Sequence, residues 1–539
     1  MTDRMFDPVL LEVLWTRLRS IVDEAAKAIV RTSFSTLSNE ANDFSCVLTD
    51  ARGLSVAQNT GSIPSFIATL PATVRHFLRE LRAETMRPGD VLITNNPWQG
   101  TGHLNDISIV KPIFLAGRLV AFSSSTAHMP DIGGRIRSAE ARELFEEGFH
   151  IPLMHLIRAG EVDETLLKLL RTNVRTPEQT QGDVFAQVAA NELMQTRLAA
   201  MMVDYGLTGI DALADELFSR SEQAMRAAIS AVPDGVYRYS MQTDGIESPF
   251  TFCAAVHVRG DSIMVDFDGT SAQQPRAINC VLAYTYAMTA FAVKAVLLPN
   301  LPNNEGMFRP ITIQAPEGSL LNPRYPASVG GRSSTGHYVP TVVLGALEQV
   351  IPDRVMAGAG SPLWNLTLAG VRASGPDEGK PFASVLFFNG GMGATASQDG
   401  ESALSWPSNI SSTPCEIVER DSPLFTVFKR LTPGSGGCGE FRGGLGQEVL
   451  MQNRHPTPIA VIFLAERLRE AAPGMRGGGA GGLGDVQVNG RSVEDSKRQV
   501  ILNRGDTVLM RTPGGGGFGD PARRRPDAIA LDQTLGLTV

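Results

Sequence analysis

The chain has 539 residues, 43% of them hydrophobic and 19% charged, too long for one hydrophobic core and too apolar for a disordered polymer. Its 48 Lys and Arg against 56 Asp and Glu give a net charge of −8, and with no long basic run a nucleic-acid partner is not expected. Five scattered cysteines without a C-x-x-C pair argue against a zinc ribbon or a disulfide framework and for a reducing compartment.

The first residues lack a basic stretch followed by an apolar core, so no secretory signal is expected and the cytoplasm is the default location. Asp7-Pro8 is a helix start, and Leu10, Leu14, Leu18, Ile21, Ala25 and Ala28 follow at helical spacing to about Thr32. Residues 44–48 and 54–58 alternate around a turn at 50–53 and form a first hairpin; a helix over 66–81 and a strand over 91–94 come next.

Residues 107–115 and 119–126 read as a second hairpin, closed by Ala116-Gly117-Arg118. Folded about Gly117, this ladder sets Asp106 directly opposite His128, where side chains on one face lie roughly 5 Å apart. Pro112 inside the first strand calls for an edge position or a bulge, and a one-residue slip would turn Asp106 to the other face.

Residues 163–232 turn helical and read as two helices packed as a hairpin; strands return at 236–241, 251–258 and 262–267. The apolar run 281–298 contains Thr285, Thr289 and Lys294 and stops at Pro299, which fits a buried helix better than a membrane span. Another helix is expected near 341–350, and glycine-rich strand and loop from 381 onward. The expected fold is therefore α+β and multi-domain, with mixed and antiparallel sheets and helical hairpins. Its regions are 1–160 around the hairpins, 161–232 helical, 233–380 α+β, 381–521 glycine-rich β, and a polar tail at 522–539.

Two H-x-x-D units, Gly-His103-Leu-Asn-Asp106 and Ala-His128-Met-Pro-Asp131, bracket the second hairpin. Each histidine alone reads more readily as a hydrogen-bonded residue at a strand end than as a ligand. Facing each other, they form with Glu40 an N2O2 donor set of His103, His128, Asp106 and Glu40, suited to Mn, Fe, Co or Zn. Such an ion polarises carbonyls and acidifies water.

The glycine-rich stretches 475–484 and 512–521 lack the Gly-Lys-Ser/Thr of a phosphate loop and read as close-packed turns. Cys438 reads as a buried thiol. Arg332 and His337, in Gly330-Gly-Arg332-Ser-Ser-Thr-Gly-His337, are candidates for contacting an anionic substrate, with a solvated loop as the alternative.

Taken together, several stretches resemble the hydantoinase B/oxoprolinase family over about residues 6–521: Ser38-Asn-Glu-Ala-Asn-Asp-Phe-Ser45, Asn95-Asn-Pro-Trp-Gln-Gly-Thr-Gly-His-Leu-Asn-Asp106, His128-Met-Pro-Asp-Ile-Gly-Gly134, Glu146-Glu-Gly-Phe-His-Ile-Pro152 and Leu321-Asn-Pro-Arg-Tyr-Pro-Ala327. The resemblance implies a divalent metal held by Glu40, His103, Asp106 and His128, with Asp131 orienting a ligand or a water. It further implies a hetero-oligomer with a hydantoinase A-type subunit that binds ATP. That partner would phosphorylate a small cyclic amide such as a hydantoin, 5-oxoproline or a lactam, whose C–N bond is then opened with the help of this chain. A subunit of an acetone- or acetophenone-type carboxylase, and a structural subunit with a vestigial site, are the other readings. The related carboxylase subunits are longer, which favours hydrolysis.

Overall fold

A computed structural model describes residues 6–373 and 378–538. Helix α1 (Pro8–Thr32) begins where Asp7 accepts hydrogen bonds from the backbone N–H of Val9 and Leu10, with Pro8 at its first turn. It buries Leu11, Leu14, Leu18, Ile21, Val22, Ala25 and Ile29. A short helix α2 (Thr36–Asn39) leads into strands β1 (Phe44–Asp50) and β2 (Ser55–Gln58), followed by helix α3 (Thr69–Leu81).

Strands β3 (Val91–Thr94), β4 (Asp106–Leu115), β5 (Arg118–His128), β6 (Met154–Arg158) and β7 (Glu161–Val162) complete a seven-stranded antiparallel sheet in the order β2-β1-β5-β4-β3-β6-β7. Helix α4 (Glu164–Asn173) precedes α5 (Pro177–Asp204), which lies along α1 and across β4 and β5. Val74 and Phe77 of α3 pack with Leu92, Val110 and Phe122 on the opposite face.

The β4–β5 hairpin closes on a two-residue turn, Ala116 and Gly117, both at positive φ (49° and 80°), the geometry that matches strand twist. That turn alone would offset the register by one residue. A bulge between Ile113 and Phe114 restores it, so Ile113 faces Ala121 and Asp106 faces His128. Strand β4 is central, not an edge; β3 pairs only with its residues Ser108 to Val110, so Pro112 lies beyond that ladder.

The helical stretch differs from the expected hairpin. Helix α5 turns Val184, Ala190, Met194 and Leu198 inward against α1 and the sheet, while α6 (Asp211–Ser230) packs on the short helix Glu305–Phe308. A four-stranded sheet of β8 (Gly235–Thr243), β9 (Phe250–Arg259), β10 (Ser262–Asp266) and β11 (Ile311–Gln314) runs in the order β11-β10-β9-β8. The apolar run becomes α7 (Leu282–Leu297), buried among its neighbours, and among the described residues no helix is long and apolar enough to cross a membrane. One apolar cluster takes in Leu14, Leu198, Val256, Met288 and Leu464 and thus crosses the expected boundaries at 160, 232 and 380.

Beyond it, strands Trp364–Val371, Pro381–Phe388, Ile459–Leu464 and Gln499–Leu502 form a second four-stranded sheet, and Gln447–Asn453 lies inside a five-stranded one. Trp364, Leu368, Phe463, Val486 and Met510 share the core between them. The glycine-rich stretches interlock by backbone: Gly437 N–H donates to Gly515 O at 2.8 Å, Gly516 N–H to Gly358 O at 2.7 Å and Gly517 N–H to Gly479 O at 2.9 Å. A β-carbon on Gly391 would lie 1.9 Å from Gly444 O, so this contact admits only glycine. Cys438, contrary to expectation, is exposed, although Gly437 and Gly439 on either side of it are buried; Cys46 and Cys280 are buried.

Candidate metal centre

The site forms where β4 begins and β5 ends, on the sheet face that carries Val110 and Phe122. His103 arrives from the loop before β4, which Asn95 stitches in place: its Nδ2 donates to Leu104 O at 2.8 Å and to Phe149 O at 2.9 Å, and its Oδ1 accepts from Ile151 N–H at 2.6 Å. Gly102 adopts φ +107°, and a β-carbon there would lie 2.8 Å from Arg332 Cδ, so a glycine lets the arginine pass.

His103 Nε2 lies 2.7 Å from Asp106 Oδ1, His128 Nδ1 lies 3.0 Å from the same oxygen, and the two ring nitrogens are 3.2 Å apart. All three residues are buried, and their ligand atoms fall within 4.8 Å of one another. The other oxygen of Asp106 accepts from Thr101 Oγ1 at 2.7 Å and Arg332 Nη2 at 2.6 Å. Arg332 also donates through Nε to Thr101 O at 3.0 Å and lies 4.6 Å over the Tyr284 ring.

Both ring nitrogens of His103 are engaged. Its Nδ1 is 3.0 Å from Gly330 O, which only accepts, so the ring proton sits there. Burial, with Arg332 adding to it, pushes the imidazole pKa down to about 3, leaving the ring neutral at physiological pH. Nε2 meets a carboxylate oxygen of Asp106 at 2.7 Å. Burial opposes ionisation of Asp106, but His103 and Arg332 outweigh it and hold the carboxyl well below its ordinary range. Two ring nitrogens and a carboxylate oxygen converging within 2.7–3.2 Å of one another can share a proton or coordinate a cation. The donor set fits a borderline divalent ion.

Asp43, which carries no signal in the H-x-x-D pattern, is a second carboxylate lining the cavity. Its Oδ2 is 3.9 Å from His128 Nδ1, its backbone oxygen accepts from His128 N–H at 3.0 Å, and burial raises its pKa against the pull of His128. Glu40, the expected ligand, ends α2 half-buried and does not line the cavity. Asn42, at φ 57°, reverses the chain between them, so Asp43 rather than Glu40 enters the sheet. The pairing could have shown this: Phe44 faces Ala127, and one step on, Asp43 meets His128.

Asp131 is likewise elsewhere. Strand β5 stops at His128, and past Pro130 the Asp131 carboxylate pairs with Arg175 Nη1 at 2.7 Å and also accepts from Arg175 N–H, tying the loop to the start of α5. It does not line the cavity.

Arg332 and His337 are buried at 4% and 3% exposure, which removes the solvated-loop alternative. His337 lines the cavity, takes Leu363 N–H on Nδ1 at 3.3 Å, and is held neutral by burial, with Arg332 and Arg137 helping to push its pKa to about 3. Arg137 had no sequence signal. It donates to Gly330 O at 3.2 Å, Asn365 Oδ1 at 2.9 Å and Ser333 Oγ at 3.2 Å, all neutral, and burial beside Arg332 lowers its pKa to about 10.

Residues 7–521 match the Hydantoinase B/oxoprolinase family, and the chain belongs to it. Among relatives, a putative D-/L-hydantoinase subunit of Pseudomonas sp. (strain NS671) is 28% identical over 98% of this chain and 93% of its own length. The crystal structure of the ATP-dependent caprolactamase from Pseudomonas jessenii superposes with a TM-score of 0.89 at 26% identity, over 99% of this chain and 95% of that one. A nucleotide-free acetone carboxylase structure superposes with a TM-score of 0.90 at 20% identity, over 99% of this chain and 79% of the carboxylase chain, and so shares the fold.

Proposed function

We propose that this chain is the metal-holding subunit of an ATP-dependent cyclic-amide hydrolase, acting with an ATP-binding subunit of the hydantoinase A type in a reducing cytoplasm. The carrying observation is the convergence of His103 Nε2, His128 Nδ1 and Asp106 Oδ1, buried and within 2.7–3.2 Å of one another. The relatives named as a hydantoinase subunit and an ATP-dependent caprolactamase support both the reaction class and the partner. Length supports hydrolysis over carboxylation, since this chain spans 95% of the caprolactamase chain and 79% of the acetone carboxylase chain.

His103, Asp106 and His128, with Asp43 beside them, would hold a divalent ion of Mn, Fe, Co or Zn. When bound, such an ion supplies Lewis acidity and a water of lowered pKa. The chain's own residues do the rest. Thr101 and Arg332 fix the Asp106 carboxylate, and Gly330 O fixes the His103 tautomer. Arg137 engages three acceptors, so about two of its five N–H groups remain to meet negative charge developing on an amide or phosphoryl oxygen. In the net reaction the partner transfers a phosphoryl group from ATP to the ring amide, the ring carbon gains the oxygen of water, the C–N bond breaks with the nitrogen taking up a proton, and the phosphoryl group leaves as inorganic phosphate beside ADP.

The test is co-purification with the ATP-binding subunit, elemental analysis, and an ATP-dependent screen over hydantoins, 5-oxoproline, lactams and ketones. Stoichiometric metal and opening of at least one ring are expected. Turnover confined to ketones in the presence of bicarbonate overturns the reading.

A further inference from the structure

Several contacts of the metal centre come from one short segment, residues 330–333. Gly330 O accepts from His103 Nδ1 at 3.0 Å and from Arg137 Nε at 3.2 Å. Arg332 Nη2 donates to Asp106 at 2.6 Å, and Ser333 Oγ accepts from Arg137 Nη2 at 3.2 Å. The start of this segment is held by a carboxylate from a distant part of the chain. Glu147 Oε1 accepts from Val329 N–H at 2.6 Å and Gly330 N–H at 2.7 Å, and also takes the Ser328 hydroxyl. Among the described residues it is the only acceptor of those two amides, which burial would otherwise leave unsatisfied.

Glu147 is itself gripped by its neighbours. Arg135 N–H donates to Glu146 O at 3.0 Å and Phe149 N–H to Ile132 O at 2.8 Å, which clamps it to the loop that follows His128. The side chain is buried and does not line the metal cavity, so its effect on His103 passes through the 328–330 backbone.

We infer that Glu147 is a positioning residue of the metal centre: by holding the Val329 and Gly330 amides it fixes the Gly330 carbonyl that orients His103 and Arg137. The inference rests on the metal-holding role proposed above and adds to it a residue outside the cavity. Without the carboxylate the Gly330 carbonyl is free to turn, and the His103 ring loses the partner that sets its tautomer and direction. The same fold contains a matched control. Asp244, also buried, accepts from the backbone N–H of Leu468, Arg469 and Glu470 at 2.7, 3.0 and 2.8 Å, and it does not line the metal cavity.

Cobalt(II) affinity of the metal-stripped full chain, read by competition against a chelator, tests this. Glu147→Ala should weaken affinity about 10- to 100-fold and shift the visible absorption bands of the cobalt-loaded chain. Glu147→Gln keeps a carbonyl oxygen for the same donors, and its affinity should stay within about threefold of the unaltered chain, with the spectrum unchanged. Asp244→Ala should lower thermal stability and keep both affinity and spectrum. If Glu147→Ala does not fold, Gly330→Ala replaces it: the added β-carbon would lie 3.3 Å from the Glu147 carboxyl, and affinity should fall at least about threefold. The inference is overturned if the alanine variant that folds keeps affinity and spectrum, if Glu147→Gln loses as much as Glu147→Ala, or if Asp244→Ala does. An unaltered chain that binds no cobalt would defeat the metal centre itself, and the inference with it. Turnover confined to ketones would defeat the proposed reaction and leave the Glu147 result standing.

Discussion

Asp106 and His128 face each other across the β4–β5 ladder with Oδ1 and Nδ1 3.0 Å apart, and His103 closes the triangle at 2.7 Å from the same oxygen. This cross-strand pair sits at the end of a central hairpin, so its geometry is set by the sheet rather than by a mobile loop. Replacing His103 or Asp106 with alanine should reduce bound metal to below about one-tenth of stoichiometric and abolish ATP-dependent turnover, with the circular dichroism spectrum retained. Unchanged metal by elemental analysis in both variants would falsify the assignment.

Asp43 and Glu40 make a paired test. Asp43→Asn should weaken metal affinity about 10- to 100-fold, the effect of losing a close carboxylate, while Glu40→Gln should leave it unchanged. Competition against a chelator of known affinity measures both, and a larger loss in the Glu40 variant would return the ligand role to Glu40.

Thr101→Val removes the hydroxyl that holds Asp106 Oδ2 at 2.7 Å but keeps side-chain volume. Metal affinity should fall about tenfold, as for other groups that orient a ligand, with thermal stability changed by less than about 1.5 kcal/mol. Isothermal titration with Mn or Zn on the metal-stripped chain reads the first, and a denaturant melt the second.

Glu147 provides a pH-dependent marker. Burial raises its pKa from 4.5 to about 7, although its Oε1 accepts from Val329 N–H at 2.6 Å and Gly330 N–H at 2.7 Å. Between those two values the folded chain binds more protons than the unfolded one. Its contribution is therefore favourable at the acid end and declines as pH rises through the window, with a slope of at most about 1.4 kcal/mol per pH unit. Glu147→Gln should flatten the melting temperature between about pH 5 and pH 7 relative to the unaltered chain; parallel profiles would show that the carboxyl does not titrate there.

Gly391→Ala tests the interlocked backbones. With a β-carbon placed 1.9 Å from Gly444 O, the substitution should cost about 3 kcal/mol or more. Gly117→Ala, with open space around it but φ 80°, should cost less, on the order of 1 kcal/mol. Denaturant midpoints compare the two, and equal losses would contradict the close contact.

Much of the site is legible in the sequence because two β segments about a glycine turn suggest a ladder centred on Gly117, and the bulge at Ile113 makes that register hold although the two-residue turn alone would shift it. The first helix is equally plain from its proline, its cap and its spacing. Asp43 escapes such a reading because a short helix and one left-handed residue, Asn42, decide which of two nearby carboxylates enters the sheet. Asp131 misleads because the H-x-x-D spacing repeats while the backbone does not: β5 ends at His128 and β4 begins at Asp106. Arg137 gives no signal, since its partners Gly330, Ser333 and Asn365 lie about two hundred residues away. The α5 pairing is hidden for a similar reason, as helical periodicity shows a buried face without showing which neighbour covers it.

The compensating bulge between Ile113 and Phe114 makes the hairpin a length gauge. At about 3.4 Å per residue, the solvent-facing tip at Gly117 lies on the order of 30 Å from Asp106, yet the two are rigidly geared. A single residue gained or lost along the ladder swaps inside for outside down its whole length. Residues added or removed at the exposed tip can be taken up by the turn and the bulge, whereas a shift of the ladder beyond Ile113 would part Asp106 from His128.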